Sequence, residues 1–292
     1  MSQAALFELK ELSKIINVAS VPQRSPFRYP GGKTWLVPRI RQWLNSLAYR
    51  PRIFIEPFAG GGIVSLTVAA ESLADQVLMV ELDEQVAAVW KTVLNGRAEW
   101  LAERIMSFDL TLENAQQVLS EVATSDHERA FQTILKNRTF HGGILANGSR
   151  MLNYGENGKG IKSRWYPETL KKRILEIHAI RERIVFLQGD GLEIIKAHSK
   201  QANAAYFIDP PYTAAGKKAG SRLYTHFDLD HKALFEEMHH VRGDFLMTYD
   251  NAVGVRELAE SQGFDMQFVA MKNKHHAEMT ELLIGRDLFW TR

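Results

Sequence analysis

Short apolar runs, each closed by an acidic or turn residue, recur along the chain. They are Arg52–Phe58, Val77–Asp83, Ile184–Asp190, Ala204–Asp209 and Phe245–Asp250, followed by two later candidates, Met266–Met271 and Glu281–Arg286. Each is rich in β-branched or aromatic residues and short enough for a buried strand. Helical patterns separate many of them. In Pro167–Arg183, Leu170, Ile174, Ile177 and Ile184 recur at helical spacing, and Pro167 suits a first turn. In Asp230–Val241, Leu234, Phe235, Met238 and Val241 share one side. Strands alternating with helices predict an α/β fold with a mostly parallel, doubly wound sheet.

The alternation lapses from about Asn95 to Tyr166. Helical stretches at Ala98–Met106, Asn114–Val122 and Glu128–Leu135 lead into a polar, glycine-rich segment there. This predicts an inserted domain over 96–166, with 1–95 and 167–292 forming the main body. The first 20 residues pattern as an amphipathic helix through Leu6, Leu9, Leu12 and Ile16.

Charge sharpens this division. The 292-residue chain carries a net charge of +2, yet Lys136–Arg183 alone holds eleven basic and four acidic residues. The positive charge is therefore concentrated, and the remainder is net acidic. Cysteine is absent, which removes disulfides, thiolate-ligated zinc and thiolate nucleophiles, and fits a reducing cytoplasm. The N-terminus lacks the basic-then-apolar layout of a secretory signal, and no apolar run reaches the length that spans a bilayer. The pairs His239–His240 and His275–His276 lack metal-site spacing, so no metal is expected.

Four motifs carry candidate chemistry. Glu56-Pro57-Phe58-Ala59-Gly60-Gly61-Gly62 follows a strand, and its glycines let the backbone approach a ligand closely. It is not the G-x-G-x-x-G dinucleotide turn, which argues against a nicotinamide oxidoreductase. Glu81, about 20 residues on, can accept hydrogen bonds from both ribose hydroxyls, with Asp83 a neighbouring candidate; a helix N-cap is the plainer role for either. Asp209-Pro210-Pro211-Tyr212 is the most specific signal. Two prolines remove backbone donors and stiffen the turn, so the Asp209 carboxylate and the Pro210 carbonyl could accept the two hydrogens of an exocyclic amine while Tyr212 stacks on the ring. Arg28-Tyr29-Pro30-Gly31-Gly32-Lys33 precedes the first strand; Tyr29 could stack on a ligand, and Lys33 could meet a carboxylate or phosphate.

Together these motifs resemble the Dam-type family of DNA adenine-N6 methyltransferases (D12 class, DPPY motif) over most of the chain. P-G-G-K is similar to the family's A-G-G-K cofactor motif, with Tyr29 where tryptophan is frequent. E-P-F-A-G-G-G resembles the P-F-x-G-x-G cofactor loop, which implicates Pro57, Phe58, Gly60 and Gly62. Glu81 falls where the family often has a ribose-binding aspartate. Asp190 in Q-G-D-G resembles the acidic residue near the cofactor adenine, although Gly191 stands where a phenylalanine often follows. D-P-P-Y is the catalytic motif, which makes Asp209, Pro210, Pro211 and Tyr212 the catalytic candidates and gives Asp209 a cofactor contact as well.

The resemblance implies a Rossmann-like, S-adenosylmethionine-dependent methyltransferase with a seven-stranded, mostly parallel sheet, its target-recognition domain lying between the glycine loop and D-P-P-Y. It implies S-adenosylmethionine as methyl donor and a flipped adenine of double-stranded DNA as acceptor. Asn137, Arg138, Arg150, Lys162 and Arg164 are the DNA-contact candidates from the basic segment. Cytosine-N4 methylation needs the same acceptors and stays open, as does a catalytically silent DNA-binding homologue. Cytosine-C5 methylation is excluded by the missing thiolate. The sequence leaves a restriction endonuclease partner open.

Overall fold

The computed structural model describes residues 20–28, 32–152, 154–155, 158–211, 229–272 and 278–292. The first-helix expectation for residues 1–19 lies outside them, as do Tyr29 and Tyr212.

All seven expected strands form: β1 Ile53–Glu56, β2 Gln76–Glu81, β3 Ile184–Gln188, β4 Ala204–Ile208, β5 Asp244–Asp250, β6 Asp265–Lys272 and β7 Glu278–Gly285. They make one sheet of order β3-β2-β1-β4-β5-β7-β6. β3, β2, β1, β4 and β5 run parallel to their neighbours, whereas β7 is antiparallel to both β5 and β6. This is the mostly parallel, seven-stranded α/β sheet of a Rossmann-like fold that the sequence predicts.

The helices are α1 Val37–Ser46, α2 Ile63–Ala70, α3 Glu84–Leu94, α4 Ala98–Ser107, α5 Leu112–Ser120, α6 Asp126–Thr139, α7 Pro167–Ala179, α8 Gly191–His198, α9 His231–His240 and α10 Val253–Ser261. Local chemistry starts several of them. Pro167 occupies the first turn of α7, and the side chains of Asp83, Ser125, Asp190 and Asp230 cap α3, α6, α8 and α9.

The inner strands are buried on both faces, so their side chains alternate between two cores, whereas the edge strand β3 leaves Val185 and Leu187 exposed. Phe54, Val77, Met79, Ala205, Phe207, Leu246 and Leu283 enter one core, shared with α1, α2, α3, α4, α6 and α7. Ile55, Leu78, Val80, Tyr206, Ile208, Met247, Leu282 and Ile284 enter the other, shared with α8, α9 and α10. Segment 96–166 is mainly helical, as expected. Its apolar residues, among them Leu101, Ile105, Phe131, Ile134 and Leu135, join the first core alongside Val89 of α3 and Ile174 of α7. Among the described residues, no helix is long and apolar enough to cross a membrane.

Candidate active site

In an open parallel sheet, adjacent strands whose crossovers leave in opposite directions open a crevice at their carboxyl ends. Here that point lies between β1 and β4, which pair with Ile55 beside Tyr206. The glycine loop leaves β1 and Asp209–Pro211 leaves β4, so the 146 residues between Gly62 and Asp209 return the two motifs to adjacent positions.

The loop is fixed by its neighbours. Ala59 N donates to Val80 O (2.9 Å), Gly62 N donates to Ala59 O (2.7 Å), and the buried Trp90 indole donates to Gly60 O (3.0 Å). Ser25 Oγ donates to Gly61 O (2.5 Å). Gly62 starts α2 with φ +62°, and a Cβ there would sit 2.6 Å from Met79 Cε, so both conformation and space require glycine.

Glu81 ends β2 beside this loop, where the ribose reading needs it. Its Oε2 accepts from Gly60 N (2.8 Å) and its Oε1 from Asp83 N (2.9 Å), while Asp83 caps α3. The two acidic residues thus divide the alternatives: Asp83 is the helix cap and Glu81 braces the glycine loop. Burial above all pushes the Glu81 carboxyl up to about 7. Glu56, which the sequence offered only as the first letter of the glycine motif, is buried and accepts from Ser65 N (2.9 Å) in the first turn of α2. Burial is again the main cause of its rise to about 8, with Asp209 and Glu81 adding to it.

Asp190 is exposed and caps α8 through Leu192 N (2.7 Å). The Gly191 that departs from the family pattern now has a physical reason. A Cβ there would lie 2.4 Å from Pro57 O and 2.9 Å from the Phe58 ring, so glycine lets the Asp190 turn close against Pro57 and Phe58.

Lys33 points into the protein. Its Nζ lies 2.9 Å from Asp209 Oδ1 and 3.6 Å from Glu281 Oε2, and its side chain is 3% exposed. Burial pulls the Lys33 ammonium down, but the two carboxylates outweigh it and hold the group above the usual lysine range. Thr248 Oγ1 donates to the same Asp209 Oδ1 (2.8 Å). Pro210 is buried and Pro211 half-buried. Thr248 and Glu281 were not anticipated. The available signal was a threonine within the apolar run FLMTYD and a carboxylate within TELLI, each a polar group that a buried strand must pair.

The DNA-contact candidates separate. Arg150 and Lys162 are exposed and Arg164 is half-buried. Asn137 and Arg138 are not surface residues. Asn137 is fully buried; its Oδ1 accepts from Arg28 N (2.9 Å) and its Nδ2 donates to Arg28 O (3.0 Å) and Gly143 O (2.7 Å). Arg138 is 4% exposed and donates to Pro26 O. Tertiary packing turns this end of α6 inward, so neither side chain faces solvent. Among the described residues, no group of three His, Asp or Glu side chains is arranged to hold a metal.

Comparisons with known proteins show which family the chain belongs to. Residues 29–276 match the D12 class N6 adenine-specific DNA methyltransferase family. The Type II methyltransferase M.MjaIII of Methanocaldococcus jannaschii is 24% identical over 223 residues, covering 70% of this chain and 75% of that protein. Among solved structures, the rRNA methyltransferase aviRa of Streptomyces viridochromogenes superposes with a TM-score of 0.43 at 12% identity, covering 94% of this chain and 95% of that one. A structure described as a putative RNA methyltransferase, PH1948 of Pyrococcus horikoshii, gives 0.39 at 10%, covering 94% and 92%. Neither superposition carries a functional statement. The family match covers most of the chain, from Tyr29 to beyond the D-P-P-Y motif, and the chain belongs to the D12 class of N6 adenine-specific DNA methyltransferases.

Proposed function

We propose that the protein transfers a methyl group from S-adenosylmethionine to N6 of an adenine rotated out of double-stranded DNA. The observation that carries this reading is the Asp209 carboxylate, fastened by Lys33 and Thr248 beside the glycine loop at the switch point of the sheet. The residues present suit the donor. The loop between β1 and α2 is held in a glycine-only conformation, Glu81 stands beside it, and the Asp190 turn packs on Pro57 and Phe58. Glu81 could meet the ribose by exchanging one of its backbone partners for a hydroxyl. The bound donor would supply an electrophilic methyl on a sulfonium.

The chain's own residues would do the rest. The lone pair of an adenine amine is delocalised into the ring. Asp209 and the Pro210 carbonyl, accepting its two hydrogens, would favour a pyramidal nitrogen whose lone pair faces the methyl carbon. The C–N bond would form at the expense of the donor's C–S bond, and the proton shed by the nitrogen would leave to solvent. No protein nucleophile is needed, which suits a chain without cysteine. The rate would come from positioning and preorganised charge. Extruding the base costs a few kcal/mol; Tyr212 is the stacking candidate. Segment 96–166 would recognise the target, with Arg150, Lys162 and Arg164 reaching DNA.

The test is incubation of unmethylated DNA with labelled S-adenosylmethionine and analysis of the nucleosides. N6-methyladenine is expected, and Asp209→Ala should abolish it while largely sparing the fold. Label in N4-methylcytosine would overturn the adenine assignment, and near-normal turnover of Asp209→Ala would overturn the mechanism.

A further inference from the structure

The short segment 25–28, just before the P-G-G-K motif, gathers three arginines from distant parts of the chain. Arg138, in the last turn of α6, donates to Pro26 O, and Arg173 of α7 donates to Ser25 O (3.0 Å). Arg28 belongs to the segment itself, and its backbone is clamped on both sides by Asn137, the neighbour of Arg138. Two guanidiniums thus bond consecutive carbonyls, and the third side chain leaves the same turn.

For Arg138 and Arg173 the protein acceptors are backbone carbonyls rather than carboxylates. Arg138 is 4% exposed, and its Nε has no hydrogen-bond partner. Burial pushes its guanidinium down to about 9, and the charges of Arg173 and Arg28 push in the same direction. Dipoles at the end of α6 favour a cation there, but that benefit is about 0.3–1 kcal/mol, small beside the penalty of burying a charge without a counter-ion. Such an arrangement is stabilised by an anion from outside. Arg138 is too enclosed to hold one alone, whereas Arg28 and Arg173 are half-buried and give access from solvent.

We propose that Arg28, Arg138 and Arg173 form an oxyanion site that takes a phosphodiester of the DNA strand whose base is being methylated. Planar guanidinium forks suit two oxygens of one phosphate. The position supports the strand assignment: Ser25, whose carbonyl holds Arg173, also donates to Gly61 O of the glycine loop, so the site lies one residue from the candidate active centre. A phosphate gripped there would set how far the extruded nucleotide reaches toward Asp209. The inference rests on the methyltransferase reading above.

The test measures affinity for a duplex of unmethylated DNA over a range of salt, for the wild type, Arg173→Gln, Arg28→Gln and the double variant, with S-adenosylmethionine binding measured separately. Each phosphate contact contributes about 0.9 to the slope of log affinity against log salt. The double variant should lower the slope by about 1, the share of one phosphate, and each single variant by part of that; all should leave cofactor affinity unchanged and melt near the wild-type temperature, and Arg173→Lys should retain most of the slope. Unchanged slopes in both single variants would overturn the site. A loss of cofactor affinity with an unchanged slope would also overturn it, by assigning the anion to the cofactor's carboxylate. Failure of the wild type to bind DNA at all would instead sink the methyltransferase reading, and this inference with it. Because Asn137 holds the backbone of Arg28 and not its side chain, Arg28→Gln keeps that clamp and remains informative if Arg173→Gln fails to fold.

Discussion

At the scale of the single residue, Glu56 has the least expected chemistry. A carboxyl 3% exposed, accepting one backbone N–H, is held near 8 because ionisation inside the core is costly. Its folded value exceeds the ordinary carboxylate value of the unfolded chain, so the folded state holds a proton that the unfolded state releases. Stability from this group is therefore complete below about pH 4.5 and is lost as pH rises toward 8, by a total on the order of a few kcal/mol. Glu56→Gln keeps an acceptor for Ser65 N and removes the ionisation. It should leave the melting temperature unchanged at pH 5 and raise it by several degrees at pH 8.5. Equal shifts at the two pH values would show that Glu56 is not protonated in the folded protein at pH 5. Glu81, at about 7, follows the same sign, but its partial exposure makes the effect smaller.

At the scale of elements, α6 illustrates what a sequence conceals. Its existence, its Ser125 cap and its apolar stripe follow from local pattern, as do all seven strands, whose runs are short and apolar. The orientation of its last turn does not, because the partner of Asn137 is a backbone 109 residues away. A polar N-R pair in a basic segment reads as surface, and only the tertiary fold supplies the acceptors that let it be buried. Asn137→Ala would orphan Arg28 N, Arg28 O and Gly143 O together. Loss of buried hydrogen bonds of this kind should destabilise the protein by about 2–4 kcal/mol in urea unfolding. A change below about 0.5 kcal/mol would mean the clamp is not intact in solution. Gly191 teaches the converse lesson: a departure from the family pattern became intelligible once Phe58 was found against it.

At the scale of the whole molecule, the candidate site is assembled from four separate places: Lys33 before α1, Asp209 after β4, Thr248 within β5 and Glu281 within β7. The D-P-P-Y motif was legible because its prolines and acid are contiguous. Glu281 was not, because antiparallel pairing of β7 with β5 is what carries it opposite Asp250 and within reach of Lys33. This geometry makes Glu281 a positioning residue. It does not touch the reacting atoms through these contacts; it holds the ammonium that holds Asp209. Without its charge, Lys33 keeps only one of two carboxylate partners, and both its place and the aim of Asp209 loosen. Glu281→Gln should therefore lower kcat roughly tenfold, about 1.4 kcal/mol on the barrier, with the DNA affinity and the melting temperature near wild type, and Glu281→Asp should recover part of the rate. A merely structural role would instead lower the melting temperature and leave the kcat of the folded fraction intact. That split between turnover and stability decides whether the far edge of the sheet takes part in aligning the catalytic carboxylate or only supports it.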